Sequence, residues 1–233
     1  TLALMVMQRR LTSSIYAIMK TLKNRYNALD GLVKLVRENP SLWKQRSKME
    51  MEFEDFDDYS ELTDEEREAI EHIFSDPKKF KLFTTAKDIK EVEQERNEVR
   101  ELVDLAESLY NSQVEEQKLK KLYEFLKDHH IIDGKKLVIF TEHKDTLDYL
   151  VKKLEALTYK VETIYGQKSV NERRLAQDNF AADSQILIAT DAAGEGINLQ
   201  FCNLLINWDI PWNPNRLEQR MGRVHRYGQE EEV

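Results

Sequence analysis

Residues 133–233 predict an α/β fold, a parallel sheet with helices on both faces, and three observations carry that prediction. Apolar runs recur at Leu137-Val138-Ile139-Phe140, Ile186-Leu187-Ile188-Ala189 and Leu204-Leu205-Ile206. The first two are too continuous for a strand with one wet face and suit strands buried on both. Helical periods separate the first runs, with Leu147, Leu150, Val151 and Leu154 on one side of 145–157. The order strand, helix, strand, helix, strand, strand, helix fits within about ninety residues, which implies right-handed crossovers and helices on both sides of the sheet.

A helical stretch precedes this part. Leu4, Met7, Leu11, Ile15, Ile18 and Leu22 recur at three and four residues, with Gln8, Arg9 and Arg10 on other faces, and Asn39-Pro40 stops the pattern after about Arg37. Residues 1–49 hold ten Lys/Arg against two acidic residues, whereas 50–72 hold twelve Asp/Glu against Arg67 alone. The dense negative charge of 49–61, with Phe53, Phe56 and Tyr59 scattered through it, repels itself and has no sustained period, so a mobile loop is expected. Thr63 and Glu66 have capping-box spacing for a short helix to about Phe74, and Ser75-Asp76-Pro77 breaks it. A charged helix after Ala86 carries Ile89, Val92, Val99, Val103, Ala106, Leu109 and Tyr110 as its apolar stripe. A second, 113–129, presents Val114, Leu119, Leu122, Phe125 and Leu126, and the two read as an antiparallel helical protrusion. The expected division is 1–48, a helical linker; 49–132, an acidic loop and helical protrusion; and 133–233, the α/β lobe.

Within that lobe, Asp133-Gly134 turns the chain into the first strand, which ends at Thr141-Glu142-His143. A second strand, 160–164, leads to Tyr165-Gly166, and Phe180 reads as a core residue that anchors the next helix to the sheet. The third strand ends in Thr190-Asp191 and a small-residue loop that includes Gly194 and Gly196. Ligands of open α/β sheets gather outside the carboxyl ends of the strands, so 190–198 lies where a site is expected. Pro214 opens a final helix that carries Arg216, Gln219, Arg220, Arg223 and Arg226. Arg223 and Arg226 are three apart and share a face if the helix extends that far, and two guanidinium forks side by side suit a polyphosphate.

Composition excludes several classes. The 233 residues and 41% hydrophobic content suffice for a core. No run of about eighteen apolar residues and no signal-peptide pattern occur, so neither membrane insertion nor export is indicated and a cytoplasmic setting is expected. Lone Cys202 has no partner for an internal disulfide. No Cys/His cluster has metal-ligand spacing, and the adjacent His129 and His130 do not face each other on a helix. The net charge of −8 argues against broad non-specific nucleic-acid binding, yet the basic stretch beside the acidic one leaves room for a local phosphate-binding surface. A start at Thr1 and an end among Glu230, Glu231 and Glu232 read as a piece of something longer.

The stretches ATDAAGEGINLQ and QRMGRVHRYGQ, in that order and separation, resemble motifs V and VI of superfamily-two helicases in the Swi/Snf-like branch, and PWNPNRLEQR between them is similar to its bacterial and archaeal RapA-type members. Upstream, Thr141-Glu142-His143 stands where motif IV is expected, and Gly166, Arg173 and Phe180 match a further family pattern. The resemblance covers 136–229. It implies a RecA-like C-terminal helicase lobe, and LMVMQRRLTSSIYAI resembles the helix that leaves the first motor lobe. By the same resemblance Arg223 and Arg226 are the catalytic arginines and Gln219 faces the nucleotide. Gly194, Glu195, Gly196 and Asn198 are further nucleotide-binding candidates, and Thr141, Thr190, Asp191 and Arg173 are candidates for nucleic-acid contact.

ATP hydrolysis of the P-loop kind needs a G-x-x-x-x-G-K-[ST] loop and an acidic motif for magnesium. Neither occurs among the seven glycines and their surroundings, so ATP and magnesium are expected only in an intact two-lobed protein, and the piece alone is expected to be inactive. The expected partners are the N-terminal RecA-like lobe of the same chain, double-stranded DNA, and another protein through the helical protrusion. Two other readings stand beside this one: a non-catalytic docking module built on a helicase lobe, and an RNA-directed helicase. A dinucleotide enzyme fails on context, because the third glycine would fall at Leu199 and the loop leads to a strand. Trp208 and Trp212 offer rings for stacking on unpaired bases, although Trp212 in Trp-Asn-Pro reads better as packing under the loop.

Overall fold

A computed structural model describes residues 2–41, 43, 86–112, 116–191, 199–211 and 213–224. The expected acidic loop and the capped helix from Thr63 lie outside the described residues. The chain divides into two compact units, one made of 1–11 and 15–113, the other of 12–14 and 114–233.

In the first unit, α1 (Leu2–Ser13) and α2 (Ile15–Glu38) follow the predicted period with a break at Ser14. Helix α3 (Ile89–Asn111) starts where the Asp88 side chain accepts from the backbone N–H groups of Lys90 and Glu91 at 2.8 and 3.0 Å. Helices α2 and α3 pack along each other around Leu22, Leu29, Leu32, Val33 and Val36 on one side and Val92, Val99, Val103 and Ala106 on the other. Ion pairs Arg37–Glu93, Arg96–Asp30 and Lys23–Glu107 run in opposite senses along the two helices, so the pair is antiparallel. The partner of α3 is therefore α2. The sequence expected it to be the helix after 113, and periodicity shows which face of a helix is apolar without showing what covers it.

That following helix, α4 (Gln117–Asp128), belongs to the second unit, where Leu119, Leu122 and Leu126 are buried. His130, with φ of 52°, a 3₁₀ turn at Ile131–Asp133 and Gly134, with φ of 103°, bring the chain into the sheet. Then follow β1 (Leu137–Thr141), α5 (Lys144–Glu155), β2 (Val161–Ile164), α6 (Val170–Ala182), β3 (Ile186–Thr190), β4 (Leu204–Asn207) and α7 (Pro214–Val224). A reciprocal capping box between Ser169 and Glu172 opens α6. At α7, Pro214 stands at the first helical position, and the Asn213 side chain accepts from the Asn215 N–H at 3.0 Å.

The four strands form a parallel sheet in the order β2-β3-β1-β4. From β1 the chain passes two places to the edge strand β2, then returns in the opposite direction to β3 and on to β4. Right-handed crossovers in opposite directions lie on opposite faces. One face accordingly carries α6 and α7, whose Ala176, Phe180 and Val224 pack with Val138, Phe140, Leu187, Ala189, Leu199 and Cys202. Helix α5 packs on β1, β2 and β3, and its buried Leu147, Leu150 and Leu154 lie outside that cluster. Both faces of β1 and β3 are covered, every residue of each being buried, which is why those strands read as unbroken apolar runs. Phe180 is fully buried, as its position predicts.

Candidate functional site

Because the strands are parallel, Thr141, Thr190 and Asn207 end at one edge, with Thr141 beside Thr190 and Phe140 beside Asn207. Helix α5, which follows β1, and helix α7, which follows β4, lie on opposite faces of the sheet. The carboxyl end of β1 is the place where an α/β sheet of this kind takes its ligand.

The α7 helix is seated at this edge by Arg220, which is 3% exposed. Its Nε and Nη2 donate to the two carboxylate oxygens of Asp191 at 2.6 and 2.7 Å. Its Nη1 donates to Asn207 Oδ1 at 2.9 Å and to the carbonyl of Asp209 at 2.8 Å. The guanidinium also lies over the Phe140 ring, 5.4 Å from its centroid. A two-pronged fork on a carboxylate fixes orientation as well as distance, and here it ties the residue after β3 to the helix after β4. Arg216 adds a longer ion pair to Asp191 at 3.6 Å.

A second buried carboxylate, Asp209, lies next to this one in the network. Its Oδ2 accepts from the Thr141 hydroxyl at 2.6 Å, the Ser13 hydroxyl at 2.8 Å and the Glu142 N–H at 3.2 Å. Lys118 Nζ lies 3.5 Å from Oδ1. Trp208, also buried, donates its indole N–H to the Ser13 carbonyl at 2.8 Å, and Lys118 lies over its ring at 4.6 Å. The hydroxyls of Ser13 and Ser14 each bond that of Thr146, at 2.7 and 2.9 Å. Thr12–Ser14, more than a hundred residues away in sequence, are thereby part of the sheet unit.

Residues 117–228 match the helicase conserved C-terminal domain family. The chain therefore carries a helicase C-terminal lobe, related to the Swi/Snf-like ATP-dependent helicases. The match begins at the first residue of α4, in agreement with the grouping of that helix with the sheet. The chain is 49% identical over 98 residues to the uncharacterized ATP-dependent helicase YqhH of Bacillus subtilis, covering 42% of this chain and 18% of that protein. It is 36% identical over 119 residues to the ATP-dependent helicase FUN30 of Saccharomyces cerevisiae, covering 50% and 10%. A crystal structure of the C-terminal part of the Fun30 ATPase domain aligns with a TM-score of 0.47 at 29% identity, over 64% of this chain and 53% of that one. The probable ATP-dependent RNA helicase DDX23 of Homo sapiens is 35% identical over 115 residues, 49% of this chain and 14% of that protein. The chain thus spans less than a fifth of the length of each of these curated relatives.

Within the helicase lobe the expected site residues fall into three groups. Gly194, Glu195, Gly196, Asn198 and Arg226 lie outside the described residues, as does Trp212. Thr141, Thr190, Asp191 and Arg173 are described, and three of them bond within the lobe. Thr141 is fully buried and gives its hydroxyl to Asp209, Asp191 holds Arg220, and Arg173 donates to the carbonyls of Lys168 and Gly166 at 2.8 and 2.7 Å, bracing the turn before α6. Thr190 is buried at the end of β3. Gln219 is exposed and Arg223 half-buried on α7, and among the described residues neither side chain has a hydrogen-bond or ion-pair partner. Trp208 is a buried donor rather than a stacking platform.

Sequence reasoning passed over Asp209, Asn207, Ser13 and Lys118 and gave Arg220 no role of its own. The available signal was Asn207-Trp208-Asp209 directly after an apolar run, polar residues at the carboxyl end of a strand, where a parallel sheet gathers its sites. Among the described residues no group of three or more His, Cys, Asp or Glu side chains is arranged to hold a metal ion. None of the described helices is long and apolar enough to cross a membrane.

Proposed function

We propose that this chain is the C-terminal motor lobe of an ATP-dependent double-stranded DNA translocase, and that it completes an ATP site whose other half is the N-terminal RecA-like lobe of the same protein. The observation that carries the reading is the division of labour along α7. Arg220 is fully engaged in holding the helix to the sheet, while Gln219 and Arg223, on either side of it, have no side-chain partner among the described residues. Arg223 and Arg226 then act as arginine fingers. Charge spreads over the γ-phosphate oxygens as the terminal phosphoryl group leaves, and a guanidinium aimed at those oxygens stabilises that charge more than it stabilises bound ATP.

Gln219 orients toward the nucleotide in this reading, with Gly194, Glu195, Gly196 and Asn198 of the loop after β3 beside it. Glycines let a backbone come close to phosphate oxygens. Magnesium would neutralise phosphate charge when bound, and this reading assigns it to the acidic motif of the other lobe, a motif that this sequence does not contain. This chain alone does not hydrolyse ATP.

The nucleic-acid track runs over the carboxyl edge, where Thr141 and Thr190 end their strands and Arg173 has N–H groups beyond the two it gives to carbonyls. With the Thr141 hydroxyl and the Asp191 carboxylate engaged inside the lobe, phosphate contact falls to the backbone that follows them. A translocating motor ignores sequence, so phosphate and sugar contacts suffice. The similarity to YqhH and FUN30 supports an ATP-dependent helicase, and the similarity to DDX23 supports the main rival in substrate, an RNA-directed helicase. A non-catalytic docking module that binds another protein through its helices is the remaining rival.

The test is ATP hydrolysis by the intact two-lobed protein with duplex DNA, single-stranded DNA or RNA added. Duplex DNA is expected to stimulate it, and Arg223→Ala and Arg226→Ala are each expected to lower kcat by about a thousandfold. Stimulation by RNA alone would move the protein to the rival branch. Hydrolysis that survives both substitutions at full rate would remove the arginine assignment, and no hydrolysis under any condition would favour the docking module.

A further inference from the structure

We infer that Asp209 is a positioning residue for the arginine helix α7, and that the short segment Thr12–Ser14 sets its position through Ser13. The inference rests on the reading that Arg223 and Arg226 act on nucleotide. Asp209 is 9% exposed and serves two groups of neighbours at once. Its carboxylate takes the Ser13 and Thr141 hydroxyls at 2.8 and 2.6 Å, while its backbone carbonyl takes Arg220 Nη1 at 2.8 Å. Ser13 is gripped on both sides, by Asp209 at its hydroxyl and by the neighbouring Trp208 at its carbonyl, 2.8 Å away in each case. Lys118 closes the same contact from α4, with Nζ 3.0 Å from the Thr12 carbonyl and 3.5 Å from Asp209 Oδ1.

A buried carboxylate that loses one of its donors turns toward those that remain. Where the Asp209 backbone follows its carboxylate, the carbonyl on which Arg220 sits moves with it. Arg223 lies one helical turn further on, and a helix carries such a tilt along its length as a rigid body. The remaining anchors of Arg220, Asp191 and Asn207, lie within the sheet unit and are untouched by Ser13, so α7 stays folded and docked. Departure of Thr12–Ser14 therefore alters the aim of the arginines, with little effect on stability.

The experiment uses the intact two-lobed protein with duplex DNA and compares Ser13→Ala, Arg223→Ala and the double variant. Ser13→Ala is expected to lower kcat about tenfold with KM for ATP within about twofold, since misplacement of a catalytic group acts on the transition state. In the double variant it is expected to add nothing to Arg223→Ala, because both act through one helix. Amide hydrogen exchange is expected to quicken in α7 of Ser13→Ala and to stay unchanged in β1 and β3. Wild-type kcat in Ser13→Ala, or a tenfold loss that persists in full beside Arg223→Ala, overturns the inference. Unchanged kcat in Arg223→Ala overturns the underlying reading instead. Should Ser13→Ala fail to fold, Trp208→Phe removes the indole N–H at the other side of Ser13, together with part of the buried ring, and is expected to show the same loss.

Discussion

Charged residues gather in two described regions, and the two are built in opposite ways. Along α2 and α3 most of the ions lie outside an apolar seam, with Arg25, paired to Glu95, as the buried exception. Lys23–Glu107 at 2.6 Å has side chains 40% and 41% exposed, and Arg37–Glu93 at 2.5 Å has 65% and 30%. At the carboxyl edge of the sheet they lie inside, with Arg220 and Asp191 3% and 10% exposed and every prong of the fork occupied. Water solvates the first set whether or not the pairs form, so the seam of Leu29, Leu32, Val92 and Val99 holds the helices and the ions decorate it. The second set has lost its water, so each member depends on the others being present. A residue's charge says nothing about which case it belongs to, and its depth in the fold decides.

The sharpest way to break this contrast is to remove one arginine from each region. Among the described residues, Arg220→Ala leaves the largely buried Asp191 carboxylate with only the distant Arg216, and it strips Asn207 and the Asp209 carbonyl of their Arg220 donor. Breaking a buried pair from one side costs about 3–5 kcal/mol, a large share of the stability of a small domain. Arg37→Ala is expected to change stability by less than about 1 kcal/mol. Urea unfolding of the two variants measures both, and equal losses would dissolve the distinction between the regions.

An intermediate effect is expected at alkaline pH, and it comes from the sheet side. Cys202 is buried on the face shared by α6 and α7, and burial pushes its thiol from the ordinary 9.0 up to about 11. The folded state therefore favours the neutral thiol. The stabilisation is complete below the unfolded value and is lost as pH rises from about 9 to about 11, on the order of 2 kcal/mol in total. Cys202→Ala is expected to flatten that alkaline limb, as read by denaturant midpoints between pH 8 and 11. In the folded wild type, a thiol reagent at pH 8 is expected to react only as fast as the protein opens.

The sequence made some of these features legible and hid others, for physical reasons. Strands β1 and β3 could be read because burial on both faces demands apolar residues at every position, and Phe180 because a lone aromatic on a helix over such a sheet has one place to go. Pro214 announced α7 because its fixed φ suits a first turn. The pairing of α2 with α3 was hidden, since two amphipathic stripes carry no address for each other. Asp209 was hidden more deeply. Nothing in a linear chain joins Ser13 to Asp209, 196 residues apart, and a carboxylate reads the same whether it sits in water or under three donors. The roles first suggested for Thr141 and Asp191 came from their positions in motifs, and position alone does not reveal that both side chains bond inside the lobe.

The smallest expected effect sharpens the comparison from the acid side. Asp30, on α2, has its pKa held below the usual 3.8 by the hydrogen bond from Lys34, against some desolvation, with the charges of Lys34 and Arg96 adding to the effect. A depressed carboxylate stabilises the fold above its unfolded pKa and loses that contribution as pH falls through the folded value. The contribution of Asp30 is therefore intact at neutral pH and fades only below about pH 4. Lys34 is 72% exposed, so solvent and salt screen the pair, and the loss is expected to stay within a few tenths of a kcal/mol. Asp30→Asn should accordingly leave the neutral-pH denaturant midpoint almost unchanged and remove a small acid-dependent slope that is itself abolished by about 1 M salt. A salt-insensitive acid slope at Asp30 would mean that this carboxylate belongs with the buried charges, as Arg25 on the same helix does, and the division between an ion-decorated seam and an ion-filled edge would have to be redrawn.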